Sequence, residues 1–411
     1  MDEPRRVENG PAAALSLARR NALLLSASQA FCGSAAPIAI SVGGLAGYYL
    51  LDADKSLATA PVTGFNVGVA IGALPAAWLM RRIGRRHGFM SGTAMTALGG
   101  VVAAIALFRH EFWLFAFGLM LIGMGNSFVQ QYRFAAADGA PSNFKAQAIS
   151  FVLAGGVFAA IIGPQTVIYT RELFATAMFA GAFAAILPLA MVAAGILYFL
   201  RIPDDLKPGD VGHDPRPARP LGEVIRQPRF ITAMICGVGS YSLMSFMMTG
   251  APLAMVGCGF SPDLATLGIQ WHVIAMFGPS FFTGRLIARF GRDIVTGAGF
   301  VILLGCAVVA HMGIELWNFW LALVLLGVGW NFGFIGATAM VTATYRPSEK
   351  NKVQGFHDVT LFGFVALSSL GSGMVQTSYG WDALNSLFWP IALACLLVLG
   401  VQTLADRRKA V

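Results

Sequence analysis

The sequence predicts an all-α integral membrane protein: twelve membrane-spanning helices arranged as two pseudo-symmetric six-helix bundles. Three observations predict it. Of 411 residues, 56% are hydrophobic and only 12% charged, and the mean hydropathy is +0.68. A soluble domain carries about 25% charged residues, so this chain lacks the material for a wetted surface. The apolar residues fall into runs of roughly 20, the length that crosses a hydrocarbon core of ~30 Å. Finally, short motifs recur between the two halves of the chain at near-constant spacing.

Taken in order, the first run follows Arg19 and Arg20 and contains Cys32. A cleaved leader or a lipoprotein site would have this outline. However, Gln29-Ala30-Phe31 is a poor context for lipidation, and the run continues to Ala46, which makes it a span. The expected spans are 22–46, 58–79, 89–108, 112–134, 146–169, 173–200, 230–255, 264–288, 294–312, 317–342, 353–377 and 384–404. With the N-terminus inside, 25 of the 28 lysines and arginines fall in inner segments, leaving only Lys55, Arg109 and Arg171 outside. Cytoplasmic loops are enriched in these residues, so both termini are expected in the cytoplasm, with the chain in a bacterial inner membrane. The net charge of +8 then reflects orientation, and no nucleic-acid partner is expected.

Between the sixth and seventh spans, residues 201–229 hold six of the nineteen prolines and charges of both signs, as a solvated linker does. That divides the chain into a first bundle (1–200), a cytoplasmic linker (201–229) and a second bundle (230–411). Arg82-Ile83-Gly84-Arg85 recurs as Arg289-Phe290-Gly291-Arg292, at an offset of 207 residues. Gly123-Met124-Gly125 recurs as Gly327-Val328-Gly329, offset by 204, and Lys145-Ala146-Gln147 is echoed by Lys352-Val353-Gln354. Repeated bundles around a midplane site are a transporter architecture.

At these residues the chain resembles the major facilitator superfamily. Its signature after the second helix is a glycine, then Asp-Arg-x-Gly-Arg-Arg. The matching stretches run from Ala77 through Arg81-Arg82-Ile83-Gly84-Arg85-Arg86 and from Gly284 through Ala288-Arg289-Phe290-Gly291-Arg292. Gly155, Gly156, Gly163 and Pro164 resemble the family's fifth helix. The chain departs from the pattern where the signature aspartate becomes Arg81 and Ala288. The resemblance implies alternating access, with the first, fourth, seventh and tenth helices around a central cavity. An inner gate is expected from Arg81, Arg82, Arg85 and Arg289 with Asp138 and Asp358: Arg82 or Arg85 pairing with Asp138, and Arg81 with Asp358.

Polar residues inside spans are costly and therefore informative. Asn126, Gln130 and Arg133 share one face of the fourth span. Gln29 marks the first, Tyr241 lies among serines of the seventh, and the tenth offers Trp330, Asn331 and Phe334. Gln165 and His272 are further candidates for substrate contact, beside Asn66, Trp271 and His357. The first six spans hold no acidic residue at mid-depth, so amides, hydroxyls and indole suit a small, neutral, hydrogen-bonding heteroaromatic. Ser34-Ala35-Ala36-Pro37-Ile38 and Gln130-Gln131-Tyr132-Arg133-Phe134 resemble bacterial members of the superfamily that import riboflavin, which implies flavin uptake; efflux of drugs or metabolites, driven by protons, is the other reading. Facilitated diffusion, or coupling of unusual design through His272 or His357, is expected, because Asp358 is the one carboxylate inside a span and belongs to the gate. There is no HExxH, GxxxxGK[ST] or nucleophile elbow, so no enzyme is expected. The five cysteines are scattered and form no CxxC or Cys/His cluster, so neither a metal nor a cofactor is expected. A monomer among membrane lipid completes the expectation.

Overall fold

The computed structural model describes residues 11–138, 140–141, 144–201 and 218–409, and among these there is no β-strand. The spans follow the apolar runs. The first is Pro11–Cys32 continued by Ala35–Leu50; the second and third form one helix, Ala60–Arg109; the fourth is Phe112–Val129 with Tyr132–Asp138. Lys145–Thr170 is the fifth, and Ala180–Ala184 with Ile186–Tyr198 the sixth. The second half continues with Pro228–Gly257, the broken pair Pro262–Phe277 and Ser280–Phe290, then Arg292–His311 and Leu316–Thr342. Lys350–Lys409 carries the eleventh and twelfth. Nine helices among the described residues pass as single apolar spans, but the 50-residue Ala60–Arg109 is about 75 Å long at 1.5 Å per residue. It crosses twice. The helix from Lys350 does the same, and the broken eighth span brings the total to twelve.

The sixth span begins at Ala180, not at 173 as its hydropathy suggested. Residues 171–179 fold as a compact turn, closed by Phe179 N–H donating to the Arg171 carbonyl at 2.8 Å, with Phe179 itself buried.

The repeated Arg-x-Gly-Arg motif has a backbone cause. Gly84 (φ 79°, ψ 161°) and Gly291 (φ 86°, ψ 153°) hold the same conformation, which turns the chain sharply between consecutive spans. A side chain at such angles is strained, so only glycine fits comfortably. The second repeat explains packing. A Cβ on Gly123 would overlap the Phe65 carbonyl of the second span, and one on Gly125 would overlap Thr96 of the third. Gly327 and Gly329 hold the tenth span against His272 and Leu303 of the eighth and ninth in the same way. Helices in lipid gain little from hydrophobic burial, so close approach through small residues carries the association.

The eighth span breaks at Gly278-Pro279, where proline removes a donor. Asn331, fully buried on the tenth span, repairs the break. Its Nδ2 donates to the Met276 carbonyl (2.6 Å) and Ser280 Oγ (2.7 Å), while its Oδ1 accepts from Thr283 Oγ1 (2.6 Å). At the arginine-rich end, Arg219 grips the buried Glu349 through Nε and a second nitrogen, both at 2.8 Å, and bonds the Thr344 carbonyl. The bound guanidinium holds the Glu349 carboxyl down to about 2. Residues 218 onward are thereby fixed to the second half.

The polar contacts between the halves lie from mid-depth to the end opposite the arginines. Thr59 Oγ1 donates to the Ser369 carbonyl at 3.0 Å, joining the second and eleventh spans. The fifth and eighth spans run antiparallel: Gly156 faces Phe277, Gln165 Nε2 donates to Gln270 Oε1 at 2.8 Å, and Arg171 pairs with Asp263 at 3.1 Å. Above this seal lies a shallow vestibule lined by Tyr48, Lys55, Leu253 and Gln376.

Two predictions follow from the backbone. A Cβ at Gly291 meets nothing within 4 Å, so Gly291→Ala isolates conformational strain and should destabilise the protein by roughly 1–3 kcal/mol. Thermal unfolding in detergent reads this, and the equally roomy, helical Gly222→Ala should not lower the midpoint. Asn331→Ala strands buried partners at the eighth-span break and should cost about 1–3 kcal/mol. An unchanged midpoint for Asn331→Ala would refute the strap.

Candidate functional site

At mid-depth, the second half presents an aromatic wall. Trp330 and Phe334 stand one helical turn apart on the tenth span, their rings stacked at 5.2 Å and 15°. Tyr241 of the seventh span meets both edge-on, at 5.3 Å and 5.1 Å, and Phe362 of the eleventh closes the group 5.8 Å from Tyr241. Edge-to-face and offset pairs are the favoured arrangements, so these four rings fix one another. The Trp330 indole N–H is buried with no acceptor among the described residues. An unsatisfied buried donor next to flat aromatic surface is what a ligand's carbonyl would occupy.

The first half contributes the polar wall. The fourth span is interrupted at Gln130-Gln131, in the middle of its polar face. Tyr132 anchors the interruption: it is fully buried, edge-on to Phe89 at 4.8 Å, and its hydroxyl accepts from Ser28 Oγ at 3.3 Å. Its neighbours remain accessible, Gln130 exposed and Asn126 and Arg133 half-buried. The Arg133 guanidinium lies 4.9 Å over the Phe134 ring, and its Nε has no acceptor among the described residues. Gln29 of the first span is half-buried, folded against Gly33 where that span breaks, with Gly155 packed beside it.

Other candidates are committed to the scaffold. Asn331 straps the eighth span, and the buried His272 bonds the Leu323 carbonyl through Nδ1 at 2.8 Å. Gln165 joins the halves through Gln270. Phe362 and Gln270 escaped the sequence reading, although each had a signal: Phe362 lies four residues after Asp358, and Gln270 is an amide inside an apolar run.

The described charges of the expected gate make these contacts in this conformation. Arg82 stacks over Trp78 at 4.2 Å, Arg289 over Phe290 at 5.2 Å, and Arg81 is exposed. Arg85 is half-buried, and the side chain of Asp138 lies outside the described residues. Asp358, 52% exposed, hydrogen-bonds His357 Nδ1 at 2.9 Å. No ion pair among the described residues joins the halves at this end.

Known proteins of this kind share the sequence and the architecture. A riboflavin transporter, RfnT of Brucella anthropi, is 49% identical over 382 residues, covering 93% of this chain and 95% of its own. An uncharacterized transporter of Bacillus subtilis, YdeG, is 29% identical over 93% of this chain and 92% of its own. The crystal structure of the POT family transporter PepTSo superposes with a TM-score of 0.70 at 13% identity, covering 96% of this chain and 98% of that one. The profile of the Major Facilitator Superfamily matches residues 21–361. The chain belongs to the Major Facilitator Superfamily.

Proposed function

We propose that this protein is an alternating-access carrier for riboflavin or a closely similar flavin, moving it into the cell across the inner membrane. The observation that carries the reading is the pairing of a stacked aromatic wall, Tyr241, Trp330, Phe334 and Phe362, with a wall of amides and a guanidinium, Asn126, Gln130 and Arg133. The flavin's ring system lies flat against Trp330 or Phe334. Its carbonyls take donors from the amides and the indole, and Gln29 meets the polar edge of the ligand. The relative named as a riboflavin transporter supports the choice of ligand. The arginine-rich end is cytoplasmic in this proposal, so a molecule sealed at Thr59–Ser369, Gln165–Gln270 and Arg171–Asp263 is open to the inside. Arg81, Arg82, Arg85 and Arg289 form the inner gate in this proposal, with Asp138 and Asp358 among their partners when the inside closes.

Binding tests the ligand. Losing a buried hydrogen-bond partner costs ~1–3 kcal/mol, and losing a stacked ring ~0.5–1.5 kcal/mol beyond burial. Asn126→Ala and Trp330→Ala should therefore each weaken riboflavin binding roughly ten-fold, read by quenching of flavin fluorescence. Arg82→Ala should keep its affinity and slow uptake. Parent-like affinity in both cavity variants would refute the site; no binding by the parent would refute the ligand.

Labelling tests the orientation. Cys258 is exposed while the other four cysteines are buried. In intact cells a membrane-impermeant maleimide should modify Cys258. A cysteine placed at the exposed Gly222, in a Cys258→Ser background, should stay protected until the cells are opened. The reverse pattern would invert the topology.

A further inference from the structure

Gly123, Gly125, Gly327 and Gly329 bring spans together, but Gly297 and Gly400 leave two spans apart. A Cβ on Gly297 would touch only Leu399 Cδ2, at 3.7 Å, and one on Gly400 would meet nothing within 4 Å. Between the ninth and twelfth spans this leaves an open groove lined by Ile294, Gly297, Leu396, Leu399, Gly400 and Leu404. Asp293, Thr403 and Arg407 stand at its arginine-rich end. The exposed side chains of both spans around it, Ile294, Val301, Leu397 and Val401, are apolar, so the groove opens onto lipid. An empty gap there would forfeit van der Waals contact along both walls, and in hydrocarbon the available filler is an acyl chain. From Leu396 to Arg407 the groove runs about 16 Å at 1.5 Å per residue, close to half of a ~30 Å hydrocarbon core. It is one leaflet deep.

At its mouth the acids are already engaged. Arg229 pairs with Asp293 and, at 3.2 Å, with Asp406, while Thr403 Oγ1 donates to the second Asp293 oxygen at 3.4 Å. Arg407 and Arg408 are exposed and have no acid partner among the described residues. A guanidinium at the rim of the hydrocarbon presents the fork that phosphate oxygens accept, and basic residues at a groove between spans attract anionic head groups. We propose that this groove binds one anionic phospholipid of the leaflet at the arginine-rich end. Its acyl chain lies between Gly297 and Gly400, and its phosphate meets Arg407. The glycines read the chain and the arginine reads the charge. A zwitterionic lipid fills the same groove but brings its own cation, so it is held less tightly.

Native mass spectrometry of purified parent, Gly400→Leu, Arg407→Gln and Gly195→Leu tests the site. Each is titrated with phosphatidylglycerol or with phosphatidylcholine of the same chains. The parent should take its first phosphatidylglycerol at least about five-fold more tightly than phosphatidylcholine, or ~1 kcal/mol. Gly400→Leu fills the gap with every charge retained and should weaken both lipids by about five-fold. Arg407→Gln should bring the two lipids near parity by weakening only phosphatidylglycerol. Gly195→Leu, at an equally open and exposed glycine of the sixth span, should behave as the parent. Soluble glycerol phosphate, a head group without a chain, should not displace the lipid; displacement would make this a plain anion site and overturn the proposal. Parent-like binding by Gly400→Leu, an intact preference in Arg407→Gln, an equal loss in Gly195→Leu, or a parent indifferent to lipid charge overturns it as well. No flavin enters the test, so riboflavin binding stands or falls separately.

Discussion

A backbone amide inside hydrocarbon has no water to bond, and an unpaired one costs several kcal/mol. The rest of this structure follows from that constraint. It forces every span to be helical, and it makes each interruption a problem that some other group must solve. Asn331 solves it for the eighth span, where Gly278-Pro279 opens the hydrogen-bond ladder. Tyr132 secures the interrupted fourth span by locking the restarted helix into the first core. Lipid tails give helices little reason to stick together, so the scaffold is held by backbones brought close at Gly123, Gly125, Gly327 and Gly329. Many of the 48 glycines are places where one backbone touches another or turns between spans.

Much of this was legible in the sequence. Apolar run length fixed the number of spans, because a membrane measures hydrophobic length directly. The repeated Arg-x-Gly-Arg motif marked two places that need the same positive-φ turn, and the repeated Gly-x-Gly marked two identical helix contacts. Other features were illegible for physical reasons. Hydropathy reads 173–179 as the start of a span, since Phe174, Ala175, Ala177 and Phe179 are apolar whether they lie in a helix or in a folded turn. Helical spacing puts Asn331 beside Trp330 as a site residue, but spacing is silent on whether a neighbouring helix is broken and needs the amide. Gln165 looked like a ligand contact for the same reason; its partner, Gln270, is a hundred residues away in the chain. The aromatic wall was only partly visible because Phe362 looks like any phenylalanine until the eleventh span is placed beside the seventh.

The duplication is also informative where it fails. The 204-residue offset that relates Gly123 to Gly327 places Asn126 opposite Trp330 and Gln130 opposite Phe334. The same two positions of one ancestral helix are amides in the first half and aromatic rings in the second, while the glycines beside them are unchanged. Packing positions were held by sterics on both sides. The positions beside them were free to diverge, into amides on the fourth span and stacked rings on the tenth.

Among the described residues, the polar part of the seal between the halves is small: one hydroxyl-to-carbonyl bond, one amide-to-amide bond and one ion pair on the fifth and eighth spans. The two hydrogen bonds are worth about 0.5–1.5 kcal/mol each, and the Arg171–Asp263 pair, with Arg171 buried and Asp263 partly open to water, adds to them. The polar adhesion therefore amounts to a few kcal/mol, spread over contacts that break one at a time. A ligand that prefers one arrangement of the halves by a hundred-fold contributes ~2.7 kcal/mol, a quantity of the same size. The polar part of the seal is thus no larger than what one small ligand can supply.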